Sequence, residues 1–242
     1  TWYNIYTRNE NACNNQQGEP TMGFLKKFTK QEISWMMYDW ANSAHSVIVV
    51  TILPIFFDTV AGYTADSVSS MSTWGFATSL AMAIVALSAP FLGVFGDIRG
   101  MRKKLFTVFM LLGVVSVAGL AFTPLMDFTA STAAAGRVAA MVLVLYILST
   151  IGFDASCIYY DAFLTDVTTE ERMDSVSTLG YGLGYIGGST IPLLVFLIMN
   201  AVGVPMLTCL AVIFALTAVW WLVFSLPLLK NCEQTTGKPY QK

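Results

Sequence analysis

Charge is what this chain has least of. Asp, Glu, Lys and Arg make up 12% of its 242 residues, against about 25% in an ordinary soluble domain. The net charge is −2 and no basic block interrupts the sequence, so there is no electrostatic case for a nucleic-acid partner. Histidine occurs once, at His45, and the four cysteines (Cys13, Cys157, Cys209, Cys232) form no C-x-x-C pair and no framework spacing. That pattern argues against a zinc site or a disulfide scaffold; neither metal nor cofactor is expected. Cys157 and Cys209 fall inside apolar segments, where cysteine behaves as a small hydrophobe.

What the chain does have is long uncharged stretches. No ionisable Asp, Glu, Lys or Arg lies between Asp66 and Asp97, between Lys104 and Asp127, or from Ser175 to Leu229. Hydrophobic residues make up 55% and mean hydropathy is +0.63. About 20 apolar residues are what a ~30 Å hydrocarbon core asks of a helix, and helix is the open-ended way to cross lipid with every backbone group bonded. The expectation is an all-α, polytopic membrane protein with six spans: Trp35 to Val60, Trp74 to Gly96, Leu105 to Met126, Arg137 to Val167, Val176 to Asn200 and Gly203 to Leu229. Residues 1–21 are a polar, Asn/Gln-rich tail without the basic and apolar regions of a signal peptide, and Met22 is a plausible start. Residues 22–34 read as a juxtamembrane segment, 35–229 as the membrane unit, and 230–242 as a tail or the start of a linker.

Orientation follows from Lys and Arg, which favour the cytoplasmic side. From Met22 onward one side holds Lys26, Lys27, Lys30, Arg99, Arg102, Lys103, Lys104, Arg172, Lys230, Lys238 and Lys242; the other holds Arg137. Both termini are therefore expected in the cytoplasm, which requires an even number of spans.

Polar residues inside the spans need a partner, water or a function, because a mid-membrane carboxylate costs about 2.5–3.5 kcal/mol on insertion scales. The first span carries Asp39, Asn42, Ser43 and Ser46, which share one helical face, and His45 near mid-membrane. A lone histidine is ordinarily a satisfied hydrogen-bonder; a proton relay is the functional alternative. The fourth span carries Asp154 and Asp161, seven apart and on one face, with Tyr159 and Tyr160 beside the second. Asp161 lies near the cytoplasmic end, where a solvated carboxylate needs no special role. Asp154 has no neutralising neighbour in sequence and is the stronger functional candidate. Tyr-Asp occurs at 38–39 and again at 160–161; the two spans run in opposite directions, so both pairs fall on the same side, and the echo is treated as accidental.

Two glycine patterns stand out. In the fifth span Gly180, Gly184 and Gly188, with Gly187, form small-xxx-small steps that admit a close neighbouring helix. A nucleotide-binding glycine loop would need a preceding strand, and none is expected here. Between spans two and three runs Gly93-Val-Phe-Gly-Asp97-Ile-Arg-Gly100-Met-Arg102-Lys103-Lys104. The basic residues alone would anchor the loop on the positive side. The fixed offsets ask for more: Gly93 for close helix contact, Gly100 for a tight turn, Asp97 to engage a helix N-terminus or an arginine.

At these residues the chain resembles the major facilitator superfamily. That superfamily's loop signature between helices two and three is Gly-x-x-x-Asp-(Arg/Lys)-x-Gly-Arg-(Arg/Lys); Gly93, Asp97, Gly100 and Arg102 match it, while Ile98 and Met101 depart from its usual basic positions. Tyr38-Asp39-Trp40-Ala41-Asn42-Ser43-Ala44, Leu53-Pro54-Ile55-Phe56-Phe57, Val176-Ser177 and the glycines of the fifth span are similar to the vacuole-effluxer-like branch, whose members include fungal amino-acid effluxers and bacterial relatives. The resemblance covers Met22 to about Leu229 and implies the N-terminal six-helix half of a twelve-helix transporter, made of two inverted three-helix repeats. It further implies a small polar solute as substrate, amino acids among the candidates, and a second six-helix half as partner, whether a missing C-terminal portion or another copy. Asp39, Asn42, His45, Asp154, Tyr160 and Asp161 would then line the substrate or proton pathway, with Asp154 or His45 carrying a coupling proton. Gly93, Asp97, Gly100, Arg102 and Lys103 would form the cytoplasmic gate. The fourth span lacks the mid-helix arginine of many proton antiporters, since Arg137 sits at its outer end. The membrane would be the plasma membrane in a bacterium and the vacuolar or lysosomal membrane in a fungus. Two other readings stay open: a non-transporting accessory subunit or receptor built on a half-transporter, and, more remotely, an intramembrane aspartyl protease using Asp97 and Asp161.

Overall fold

The computed structural model describes residues 27–64 and 69–237. The tail 1–21, Met22, Lys26, Lys238 and Lys242 lie outside the described residues. Among those described, six helices are long and apolar enough to cross a membrane: α1 (Lys30–Ala61), α2 (Ser70–Gly96), α3 (Arg102–Leu125, its last turn tightened), α4 (Thr132–Val167), α5 (Glu170–Ala201) and α6 (Met206–Asn231). This is an integral, multi-pass membrane chain.

Several helices start before the expected spans, and α1, α4 and α5 do so with a local reason. Thr29 caps α1: its hydroxyl accepts from the Glu32 amide at 3.2 Å and the Glu32 carboxylate accepts from the Thr29 amide at 2.7 Å, a reciprocal box that satisfies two otherwise orphaned donors. Ser131 caps α4 by accepting from the Ala134 amide at 3.1 Å. α5 starts at Glu170 rather than Val176, with Glu170 and Glu171 in the first turn, where carboxylates complement the helix dipole. Two helices contain a wide turn ahead of a proline: Ile48–Ile52 before Pro54 in α1, and Gly184–Ser189 before Pro192 in α5. Proline offers no amide to the preceding turn and crowds the carbonyl four residues back; the wide turn relieves both.

The packing pattern is symmetric under exchange of α1–α3 with α4–α6. α1 packs on α5 and α6 as α4 packs on α2 and α3, while α1 meets α4 and α3 meets α6 across the axis. α1 and α4 run in opposite directions, so the axis lies in the membrane plane, the geometry of inverted repeats. Burial follows the same symmetry. The 27 residues of α2 bury only Ala77, Ala81 and Gly96, and α5 buries little beyond Val176, its glycines, Ser189 and Pro192.

Close helix approach depends on particular glycines. A Cβ on Gly184 would lie 3.0 Å from the Asp39 carbonyl oxygen, and one on Gly188 would collide with that of Trp40, so this edge of α5 lies directly on the α1 backbone. Gly187 receives the Trp40 ring and Gly180 the Asp39 carboxylate. The α3–α4 contact is equally tight at Gly113 and Gly152.

Both chain ends of the bundle meet at one side, called here the basic end. Asn231 at the end of α6 donates to the Ser34 hydroxyl near the start of α1 at 2.8 Å. Glu32, 2% exposed, also accepts from Thr168 at 2.7 Å and Arg172 at 2.9 Å, fastening α1 to the α4–α5 turn.

Candidate functional site

A cavity of about 550 Å³ opens between α1, α4 and α5. One helical face of α1 supplies Asp39, Asn42, Ser43 and Ser46; α4 supplies Cys157, Tyr160 and Asp161; α5 supplies Ser177, Tyr181, Tyr185 and Ser189. Asp39 lies nine residues into α1, about 14 Å at ~1.5 Å per residue, so this polar surface reaches well into the apolar bundle.

The α1–α4 wall is held by hydrogen bonds that step along the two antiparallel helices. Trp35 Nε1 donates to the Tyr160 carbonyl at 2.9 Å, with the two rings stacked at 4.3 Å. Tyr160 donates its hydroxyl hydrogen to Asp39 Oδ2 at 2.8 Å. Tyr38, fully buried behind this wall, pairs with the Ser156 hydroxyl at 2.7 Å. Asn42 Nδ2 approaches Cys157 Sγ at 3.7 Å. Opposite, Tyr181 and Tyr185 meet hydroxyl to hydroxyl at 3.1 Å.

Four of the six residues expected on a substrate pathway therefore share this cavity: Asp39, Asn42, Tyr160 and Asp161. His45 and Asp154 do not line it. His45 immediately precedes Ser46 on α1 and so sits about 100° round the helix from it, which turns the imidazole toward α4 and α6. There it is 2% exposed, stacked on Phe153 at 4.8 Å and tilted against Trp221 at 5.1 Å, and neither ring nitrogen has a partner. A buried polar group without a partner costs about 1–3 kcal/mol. Substituting His45 by Phe, which keeps the ring contacts and removes the unpartnered nitrogens, is expected to leave Tm in detergent unchanged or raised; a clear fall would show that the imidazole holds a bond absent from this arrangement. Asp154 is part-exposed one turn above Cys157 and makes no hydrogen bond or ion pair among the described residues.

The loop between α2 and α3 is organised around Arg102. Its guanidinium is nearly buried, donates to the Ala162 carbonyl at 2.9 Å, pairs with Asp166, and stands 3.7 Å from Asp97, whose side chain is 72% exposed. Gly100 has φ of +83°, which suits glycine in the turn. Gly93 touches nothing that a Cβ would meet; the close contact falls instead at Gly96, where a Cβ would lie 2.9 Å from the Tyr159 ring. The reason is register: Gly96 is the position that faces α4, with Tyr159 donating to the Leu92 carbonyl one turn earlier at 3.1 Å. Lys103 lines a shallower depression with Arg99 and Lys104.

Spacing in the sequence did not single out three parts of this arrangement. The α5 face Ser177, Tyr181, Tyr185 and Ser189 repeats every four residues beside the glycine edge, and that repeat is the signal that could have found it. Asp166 accepts from the amides and hydroxyls of both Thr235 and Thr236 at 2.8–2.9 Å. Gln234 takes the Gly100 amide at 2.8 Å and gives to the Gly96 carbonyl at 3.0 Å. Asp97 faces Arg102 while Asp161 lines the cavity, an arrangement that does not favour a shared carboxylate pair. Among the described residues no group of three or more His, Cys, Asp or Glu is placed to hold a metal.

The chain matches the family described as "Vacuole effluxer Atg22 like" over residues 28–172 and 165–242. It belongs to that family. This vacuole-effluxer-like chain is also 39% identical over 218 residues to a Bacillus subtilis (strain 168) protein described as an uncharacterized MFS-type transporter, YxiO. The match covers 87% of the vacuole-effluxer-like chain and 48% of YxiO, so the chain spans about half the length of that relative. No solved structure matches it.

Proposed function

We propose that this chain is the N-terminal six-helix half of a secondary transporter of the major facilitator type, not an enzyme, and that the cavity between α1, α4 and α5 is its share of the solute site. The observation that carries the reading is the cavity itself: polar side chains from three helices brought to one pocket in an otherwise apolar bundle. Such intramembrane polar groups mark solute or ion pathways. α2 and α5 leave most of their apolar length uncovered, which fits a second six-helix half docking beside them, supplied by a C-terminal portion or by another copy. A relative twice as long supports the first source.

In this reading residues 35–229 are the transporting half, 22–34 and 230–242 flank it in the cytoplasm, and rocking of one half against the other exposes the cavity to each side in turn. Lys and Arg concentrated at the basic end support a cytoplasmic location for that end. For a bacterial protein the membrane is the plasma membrane. Gly93, Asp97, Gly100, Arg102 and Lys103 form the cytoplasmic gate, with Gln234 bracing the turn. The substrate is a small polar solute, with amino acids the class suggested by the effluxer name of the family, and Asp154 is the carboxylate free to exchange a coupling proton.

The test is counterflow in proteoliposomes with the protein at its full natural length. Labelled solute is expected to accumulate against unlabelled solute inside, and Asp154→Asn, which breaks no bond among the described residues but cannot release a proton, is expected to abolish proton-driven uptake while leaving counterflow intact. Absence of counterflow for every small polar solute tried would overturn the transporter reading and favour an accessory subunit.

A further inference from the structure

We propose that the α1–α4–α5 cavity is built to hold an organic cation, gripping a solute by an ammonium group between Asp39, Asp161 and the rings of Tyr181 and Tyr185. The inference rests on the transporter reading for the cavity's role and adds the chemistry of the solute.

The first argument is charge. The lining holds two carboxylates and no Lys, Arg or His. The cations nearest in the fold are engaged elsewhere: Arg172 with Glu32, Arg102 with Asp166. His45 is turned away toward Phe153 and Trp221. A carboxylate at the depth of Asp39 is costly without a positive partner, Asp161 adds a second, exposed carboxylate to the same cavity, and the described residues supply no cation to either.

The second argument is the hydrogen-bond inventory. Several donors on the walls are already committed within the protein. The Tyr160 hydroxyl serves Asp39, one of Tyr181 and Tyr185 donates to the other, Ser177 donates to the Asp174 carbonyl and Ser189 to the Ser43 carbonyl, while the Ser43 and Ser46 hydroxyls and the second tyrosine remain open to a solute's acceptors. The acceptors are not committed. Asp39 keeps Oδ1 free and Asp161 accepts nothing among the described residues. Asn42 lines the cavity and spends Nδ2 on Cys157, and its Oδ1 takes no bond among the described residues. Free acceptors in a cavity with two carboxylates ask for a donor, and an ammonium N–H supplies donor and charge together.

The third argument separates an organic cation from a metal ion. The open wall is aromatic: Tyr181 and Tyr185 meet edge to face at 4.9 Å and are more than half exposed, while Trp35 and Tyr160 opposite them are stacked on each other and nearly buried. Ring faces attract weakly hydrated ammonium groups, whereas metal ions require convergent oxygen or nitrogen ligands, and no such cluster occurs among the described residues. About 550 Å³ lies within the range of small-molecule sites.

The experiment uses the full-length protein in lipid nanodiscs and labelled choline as probe. Saturable choline binding is expected, displaced by tetramethylammonium but not by the neutral isostere 3,3-dimethylbutan-1-ol or by acetate. Asp161→Asn, whose side chain has no partner to lose among the described residues, is expected to weaken choline about tenfold or more with an unchanged melt; Asp39→Asn should do the same. Absence of saturable choline binding, equal competition by the neutral isostere, or unchanged affinity in Asp161→Asn overturns the proposal. The two readings fail separately. Choline bound through Asp161 in a protein that moves no solute would sink the transporter reading alone; counterflow of a solute that choline neither binds beside nor competes with would sink the cation assignment alone.

Discussion

Asp166→Ala is expected to destabilise the protein by about 3–5 kcal/mol, the range found when one partner of a buried ion pair is removed. The side chain of Asp166 is fully buried and that of Arg102 is 5% exposed. Without Asp166 the Arg102 guanidinium would be left with the Ala162 carbonyl, the Thr236 hydroxyl at 3.4 Å, the distant Asp97 and the Phe163 ring at 5.8 Å. The same substitution strands the Thr235 and Thr236 amides that now bond Asp166. Asp97→Ala, by contrast, removes a 72%-exposed carboxylate 3.7 Å from the same arginine and should cost no more than a surface pair, about 0–1 kcal/mol. Melts in detergent followed by intrinsic fluorescence decide between them: a fall in Tm of order 10 °C is expected for Asp166→Ala and little change for Asp97→Ala. Replacing both partners, as Arg102→Met with Asp166→Leu, should recover part of the loss, because no orphaned charge remains. Equal melts for the two single variants would remove Arg102–Asp166 from the centre of the loop's stability.

That contrast shows where the sequence was informative. Asp97 and Gly100 were visible because they sit at fixed offsets within one loop, and helical spacing alone grouped Asp39, Asn42, Ser43 and Ser46, which the fold places on one cavity wall. The six helices were legible from uncharged length, and the starts of α1, α4 and α5 moved outward where a cap or an acidic first turn extended them. Partners distant in sequence left no such trace. Asp166 meets Arg102, 64 residues earlier, and Thr235, 69 later, and neither spacing carries a period. The surroundings of His45 were hidden for a related reason: its depth in α1 follows from counting, but which neighbour covers that side of the helix depends on where α4 and α6 cross it. The glycines divide the same way. Those of α5 repeat every four residues and so announce a packing edge, whereas Gly113 and Gly152 stand alone on separate helices and their contact exists only after α3 and α4 have docked.

The contact between those last two glycines carries the other large expectation. A Cβ on Gly152 would collide with the Gly113 amide nitrogen and lie 2.7 Å from both the Gly113 Cα and the Phe109 carbonyl oxygen. All three atoms are backbone, so no side chain can swing aside; α3 and α4 would have to separate. In a membrane interior such separation is costly in its own way, because close packing rather than solvent exclusion holds helices together. Those same two helices carry much of the bundle, and Trp221 fills the other side of Gly113, where a Cβ would run into its ring. Gly152→Ala is therefore expected to lower stability by about 1–3 kcal/mol, the usual cost of overpacking, despite alanine's higher helix propensity. Gly152→Leu should yield no monodisperse protein in size-exclusion chromatography. Gly136→Ala, on the same helix with nothing within 4 Å of its Cβ, isolates the propensity effect and should be neutral or stabilising by up to about 1 kcal/mol. If Gly152→Ala melted with or above Gly136→Ala, the α3–α4 backbone contact could not be as close as the fold requires, and the seam carrying Arg102 and Tyr159 to their partners would need a different register.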